Sequence, residues 1–598
     1  MAGRSRVPLV VAAVVGVVAV LGVRSLVGGD GEGGAADPAA DTGDCVVVQL
    51  AASSEKAALL RDLAADYAQD DGDAGGRCGR VEVTSKASGG AMEALARGWD
   101  EAVDGPRPDV WSPAASSWTV LLRQRTTAAD APDLVGEGEL PSIAQTPLVI
   151  AMPKPMAETL GWPQAQLGWS DVLALARDPQ GWGAKGKPWG AFKLGKTHPG
   201  FSTSGLHATV GSYFAATGLS SDLSEADLAT PEVREYVKGV ENAVVHYGDT
   251  TLTFLGNLQK ADGAGQALSY VSAVTVEEKS VWDYNQGNPS GDPQTLGDVG
   301  KPRTPLVAIY PKEGTLVSDN PYVVLQADWV DDAKRAVAAD FLEYVQSDDA
   351  QRRFEQAAFR SFDGTPGELI TTANGLLPDQ PAQTLNPPSP PVLAAVQASW
   401  EQLRKRARML LVLDVSGSMG EPVPGAESKL ELAKAAAADA VGRLAPDDEI
   451  SLWIFSTDLD GSKPYRELVP FGPAGQRLPA VQSQIEALIP QGGTGLYATT
   501  RAAKKDLQRS FDPGRINAVV LLTDGKNEYP PDSDLESLVR ELASEDADRQ
   551  VRVFPIAYGE DADLRELRRI AEASRAAVYD ASDPASIDKV LTAVLANF

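Results

Sequence analysis

From Cys45 onward, short apolar runs alternate with stretches whose apolar positions recur every three or four residues. This is the signature of strands laid between amphipathic helices. Cys45-Val-Val-Val-Gln-Leu, Val81-Glu-Val and Asp109-Val-Trp read as strands, with helices over Glu55 to Tyr67, Met92 to Val103 and from Ser116. The runs Pro147 to Pro153 and Pro305 to Pro311 are a matched pair of strands enclosing a second set of helical patterns: Trp169 to Ala176, Ser204 to Thr217, Pro231 to Tyr247 and Asn257 to Ala261. Two more helices follow, over Asp332 to Gln346 and Asp349 to Ala358. One α/β region inserted into another by two strands is the plan of a two-lobed clamp, with lobes 45–146 plus 305–377, and 147–304. Pro378 to Pro391 predicts an extended, semi-rigid connection and Val392 to Arg408 a short helix. From 407 to 598, strands at Met409 to Leu413, Glu449 to Ser456, Ala518 to Thr523, Val551 to Ala557 and Ala577 to Tyr579 alternate with helices. The fold class is therefore α/β, a two-lobed clamp followed by a doubly wound parallel sheet.

Composition narrows the partners. The 598 residues carry 54 basic and 82 acidic side chains, a formal charge of −28. With no dense basic stripe to reverse that field locally, nucleic acid is excluded as a partner. Val7 to Val23 is an apolar run flanked by Arg4, Arg6 and Arg24. It leads us to expect a single-pass membrane anchor with the body outside the cytoplasm, the alternative being a secreted protein after signal cleavage. Gly28 to Asp44 reads as a flexible acidic tether. The two cysteines, Cys45 and Cys78, are expected to form a disulfide in an oxidising compartment.

The richest chemistry lies in Asp414-Val-Ser416-Gly-Ser418-Met-Gly420, directly after an apolar run and so at the carboxyl end of a strand. Thr494 in Gly492-Gly-Thr-Gly495 and Asp524 after the Ala518 to Thr523 run add a hydroxyl and a carboxylate. Five oxygen donors on three loops suit a hard divalent cation, Mg²⁺ or Mn²⁺. With this three-part motif, residues from about 407 onward resemble a von Willebrand factor type A domain with a metal-ion-dependent adhesion site. The resemblance implies that Ser416, Ser418 and Thr494 touch the metal while Asp414 and Asp524 act largely through water. It also implies that a protein partner's carboxylate completes the shell.

Cys45-Val-Val-Val-Gln-Leu, Trp169-Ser-Asp-Val-Leu, Ser202-Thr-Ser-Gly-Leu and the helix ending in Gln351-Arg-Arg-Phe354 resemble a type 2 bacterial extracellular solute-binding protein. Ser202, Thr203, Ser204 and Gly205 at a helix start form an anion-binding candidate, with simple N-capping as the competing use. Ser54, Ser88 and Ser116, each in a loop after a strand, line the cleft in the resembled family. A small anionic or polar solute is the expected ligand, and Tyr270 and Ser272 are weaker candidates. Three other motifs fail on context. Gly190 to Thr197 spells a phosphate loop but lacks a preceding buried strand and is followed by Pro199 and Gly200. Asp458-Leu-Asp460-Gly461 has Lys463 where a calcium loop needs glycine. Gly417 to Gly420 recites part of a nucleophile elbow in a region without histidine. The chain thus reads as a non-enzymatic, membrane-anchored binding protein. Its alternatives are a solute-binding component of a transport system and, less well supported, a non-catalytic subunit of a chelatase-type complex.

Overall fold

Three sheets organise the computed structural model, which describes residues 45–69, 77–297, 299–461, 463–544 and 549–598. The first lobe is built on Val46–Ala52, flanked in parallel by Gly79–Ser85 and Val110–Ser112, with Val323–Val324 antiparallel at the edge. Cys45 and Cys78 are joined by a disulfide with a Cα–Cα separation of 4.4 Å, directly ahead of the two neighbouring strands. In the second lobe the order is Val244–Gly248, Leu194–Thr197, Ala273–Glu277, Thr146–Pro153, Leu306–Ile309. Every residue of Thr146–Pro153 is buried, which is why it reads as an unbroken apolar run. The chain re-enters the first lobe only after Val317–Ser318, which pairs with the start of that strand.

The third sheet runs Lys463–Pro473, Glu449–Asp460, Arg406–Asp414, Arg515–Thr523, Arg552–Tyr558, Tyr579–Ala581. All its pairs are parallel except the first, a hairpin at the edge. The Lys463–Pro473 strand escapes a pattern reading because Pro464 and Pro470 argue against a strand; at an edge, the missing N–H donors leave no ladder bond unmade.

The proline-rich stretch ends in a helix, Pro390–Leu403, whose first turn holds Pro390 and Pro391. Proline suits those positions because their N–H groups lack intrahelical acceptors anyway. This brace helix is wedged between the lobes. Its Val392, Leu393, Val396 and Leu403 share one apolar cluster with Trp118, Leu121 and Leu122 of the first lobe and Leu206, Tyr213 and Phe214 of the second. A second cluster runs without a break from Trp169 and Tyr247 of the second lobe, through Trp400, to Ala407, Met409 and Leu411 of the third sheet.

Polar contacts reinforce that joint. Arg404 Nη2 donates to Asp448 Oδ2 at 2.6 Å, Lys405 Nζ donates to the Val244 carbonyl at 3.1 Å, and Tyr247 N donates to the Asn597 carbonyl at 3.1 Å. These contacts sit at the amino-terminal end of Arg406–Asp414, so the carboxyl ends of the parallel strands face away from the clamp.

The expectation of a single-pass membrane protein is corrected here. Among the described residues no helix is long and apolar enough to cross a membrane, and the run Val7 to Val23 and the tether Gly28 to Asp44 lie outside the described residues.

Candidate functional site

At the carboxyl edge of the third sheet, neighbouring strands deliver their terminal residues to one spot. Arg406–Asp414 ends in Asp414, and Arg515–Thr523 leads into Asp524. Both aspartates are fully buried, as are Ser416 and Thr494, while Ser418 is half-buried and Gly417 is open to solvent. Ser418 Oγ donates to Asp524 Oδ1 at 2.8 Å and lies 3.0 Å from Ser416 Oγ. Asp414 accepts from the Ser416 backbone N–H at 2.7 Å and from Thr523 Oγ1 at 2.6 Å.

The Thr494 loop is stitched to this one by Gly417 N donating to the Gly492 carbonyl at 2.9 Å; Gly492 has a φ of +69°, a left-handed geometry that favours glycine. Gly525 is also required by space, since a Cβ there would lie 2.9 Å from Thr494 Oγ1. All five oxygen-bearing residues singled out in the sequence therefore meet at one place.

The electrostatics of this cradle ask for a cation. Burial, and next the charge of Asp524, push Asp414 up to about 7; burial likewise raises Asp524. Among the described residues no three His, Cys, Asp or Glu side chains gather into a metal cluster, so a cation held here must lean on hydroxyls. Ser416, Ser418 and Thr494 supply them, and the donor set fits a hard divalent ion.

Sequence reasoning missed Lys429, whose ammonium reaches Glu421 at 2.7 Å and Asp524 Oδ2 at 3.1 Å. Ser428 caps the Lys429–Gly442 helix, placing Lys429 at its first position and turning it toward the cradle. Desolvation there is outweighed by its hydrogen bonds to Glu421 and Asp524, so its pKa rises. The cap signal was readable in the sequence. The direction of the side chain was not.

The clamp brings the strand ends of its two lobes face to face. Gly89 N donates to the Phe201 carbonyl at 3.0 Å, and a Cβ at Gly89 would lie 2.2 Å from the Gly200 carbonyl oxygen. The lobes are closed. The hydroxyls proposed for an anion are largely occupied: Ser88 Oγ accepts from Ala114 N, and Thr203 Oγ1 accepts from Trp118 Nε1 across the lobes at 2.8 Å. Ser204 Oγ is ringed by Thr197 Oγ1, Ser202 Oγ and Thr251 Oγ1 at 2.8, 3.1 and 2.8 Å. Gly205 packs on the Thr197 backbone, Ser54 opens the Ser54–Gln69 helix half-buried, and Ser116 N donates to Asp319 Oδ1 at 2.7 Å.

Tyr270 and Ser272 are structural: Tyr270 pairs with His246, and Ser272 accepts from Trp182. The Leu194–Thr197 part of the phosphate-loop lookalike is itself a buried strand, with Lys196 ion-paired to Glu241.

Charged residues absent from the sequence reading line this closed cleft. Lys56 is buried, donating to Ser53 Oγ, the Pro113 carbonyl and Asn320 Oδ1 at 2.8, 2.9 and 2.9 Å, and burial pulls its ammonium down to about 7. Glu277, at the end of Ala273–Glu277, is pushed up to about 8 by burial and next by the charge of Glu55 on the opposite lobe. Their positions at strand and helix termini were visible, but only the closed fold brings them together.

Comparison with known proteins agrees with this architecture. The family described as bacterial extracellular solute-binding protein matches residues 48–360, and the von Willebrand factor type A domain family matches residues 409–593. No curated protein matches the chain significantly. Among solved structures, a von Willebrand factor type A protein from Catenulispora acidiphila is 23% identical with a TM-score of 0.28. That alignment covers 32% of this chain and 42% of the other, less than half of that protein's own length. A periplasmic thiamin binding protein is 12% identical over 60% of this chain and 96% of its own, with a TM-score of 0.39. The periplasmic binding protein AfuA from Actinobacillus pleuropneumoniae is 14% identical over 55% and 90%, with a TM-score of 0.35.

Proposed function

Because the chain belongs to the bacterial extracellular solute-binding proteins and continues into a von Willebrand factor type A domain, we propose that it is an extracytoplasmic binding protein with two separate binding ends. Both modules are of kinds that typically bind and do not catalyse. The clamp holds a small solute between its lobes. The A domain grips a protein partner through Mg²⁺ or Mn²⁺ held by Ser416, Ser418 and Thr494, with Asp414 and Asp524 as the anionic support.

The observation that carries the metal reading is the meeting of those five residues in one buried, carboxylate-bearing cradle with Gly417 open to solvent. A bound dication would supply an electrophilic centre for a partner's carboxylate. The chain's own part is to hold the hydroxyls in register, through the Gly417 to Gly492 bond, and to present two buried carboxylates whose raised pKa values a bound dication would bring back down. Partner and metal should strengthen one another by reciprocal linkage.

Calorimetry of Mg²⁺ and Mn²⁺ binding to the full chain tests this, together with partner capture with and without chelator. Asp414→Ala should abolish metal binding and metal-dependent capture; Thr494→Ala should weaken both without altering charge. Metal heats unchanged in Asp414→Ala, or capture indifferent to chelator, would sink the reading.

A further inference from the structure

The closed cleft carries an unbalanced set of charges. On the second lobe, Glu277 ends a buried strand and is 2% exposed, yet its Oε1 has no hydrogen-bond partner. On the first lobe, Glu55 stands in the first turn of its helix, and its Oε2 is likewise shielded from solvent and unpartnered. The second lobe closes directly over it: a Cβ at Gly291 would touch Lys279 Nζ, Asp283 Oδ2 and the Glu55 carbonyl oxygen at 3.1, 3.2 and 3.7 Å. Asp319 adds a third carboxylate, half-buried and accepting from Ser116 N at 2.7 Å. Against these stand Lys56, held by three neutral acceptors, and Lys279, which is already neutralised by Asp283. Glu55 and Glu277 are thus left without an ion-pair partner among the described residues.

Both orphan oxygens lie at the carboxyl ends of the lobes' strands, the edge at which open α/β sheets take ligands. Leaving two buried carboxylate oxygens unpaired is costly, and a positive group between them would remove that cost. An anion has no seat. The start of the Thr203–Thr217 helix, where one would dock, is linked through Ser204 Oγ and Thr251 Oγ1 to Glu277 Oε2 at 2.8 and 3.4 Å, so the protein's own carboxylate already stands beside that helix end.

We propose that the solute of this clamp is an organic cation, an amine-bearing molecule whose ammonium sits between Glu277 and Glu55. The hydroxyls of Ser202 and Ser204 stand at the edge of the same seat. This assignment rests on the reading that the clamp takes a solute, and reverses the charge expected from the serine-rich loop alone.

The test is a thermal-shift and calorimetry series on the full chain in metal-free buffer, with putrescine, spermidine and L-arginine as cations, succinate and phosphate as anions, and glucose as a neutral probe. The expected result is stabilisation by at least one amine and none by the anions, with affinity more than about tenfold weaker in Glu277→Gln. Glu55→Gln lies on a half-buried helix start and serves as a second, structurally milder variant with the same expected loss. Stabilisation by an anion or by glucose but by no amine would overturn the cationic assignment while leaving a solute-binding clamp in place. Response to none of the six probes would count against both. An amine shift retained in both variants would overturn the site.

Discussion

Removing the Asp448 carboxylate tests whether the clamp and the A domain are welded or merely tethered. Asp448 is fully buried; its Oδ1 accepts from Ala407 N at 2.8 Å, and its Oδ2 accepts from Ala445 N at 2.8 Å and from Arg404 Nη2 at 2.6 Å. Asp448→Ala strands a guanidinium whose side chain is 6% exposed, leaving it Glu401, half in solvent, at 3.1 Å and the Lys405 carbonyl at 3.3 Å. Breaking a buried pair from one side costs about 3–5 kcal/mol, and each backbone N–H left without an acceptor adds about 1 kcal/mol or more. Water reaching the Glu401 side offsets part of this, so a net loss of about 4 kcal/mol is expected. That corresponds to a fall of about 10 °C in the transition that includes the A domain.

Calorimetric melting of the full chain reads this directly, and limited proteolysis should find new cleavage near Leu403 to Arg406. Adding Arg404→Met to Asp448→Ala should recover part of the loss, because the unpaired charge goes with it. A fall of less than about 2 °C in the single variant, or no recovery in the double, would refute a buried ionic weld.

His207 is buried, and desolvation holds its pKa at about 4, against about 6.5 in an unfolded chain, so the unfolded state binds the extra proton between those values. Stability should be complete above about pH 6.5 and fall as pH drops toward 4, with His207→Gln flattening the slope by up to about 1.4 kcal/mol per pH unit in denaturant titrations; equal slopes in both proteins would contradict it. Gly89→Ala places a Cβ against backbone of the facing lobe, so the lobes should part at a cost of about 1–3 kcal/mol, seen as a larger radius of gyration by X-ray scattering; an unchanged radius and melting point would show that the contact yields locally. Reducing the Cys45–Cys78 disulfide, which spans 33 residues, should destabilise the first lobe by about 4 kcal/mol in the chain-entropy account, with the A domain transition unmoved; a shift in both would place the bridge in a larger cooperative unit.

Much of the fold was legible because runs such as Pro147 to Pro153 and Ala518 to Leu522 are apolar throughout, and helices such as Leu535–Ala543 and Leu564–Ala573 carry one apolar face. The gathering of Asp414, Ser416, Ser418, Thr494 and Asp524 was legible for a different reason: these residues sit in short motifs at strand ends, where sequence neighbours are also spatial neighbours. The rest depended on long-range closure. Glu55 and Glu277 are separated by most of both lobes in the chain, and nothing local marks either as carrying a shielded, unpartnered oxygen. Lys429 looked like an ordinary first-turn residue, although its side chain turns into the cradle. Periodicity marks a short helix after the proline-rich stretch but is silent about what that helix packs against, and here both lobes cover it.

The same joint decides how force would travel. A partner pulling at the carboxyl end of the third sheet loads Arg406–Asp414 along its own axis, and that strand is the direct covalent continuation of the brace helix. Its neighbours Glu449–Asp460 and Arg515–Thr523 run parallel to it, so the load is carried in shear across two ladders before it reaches the Arg404 to Asp448 ion pair. Tension therefore arrives at the clamp through the helix that both lobes grip, and traction on one end of the molecule bears on the seam that must open to admit or release what the other end holds.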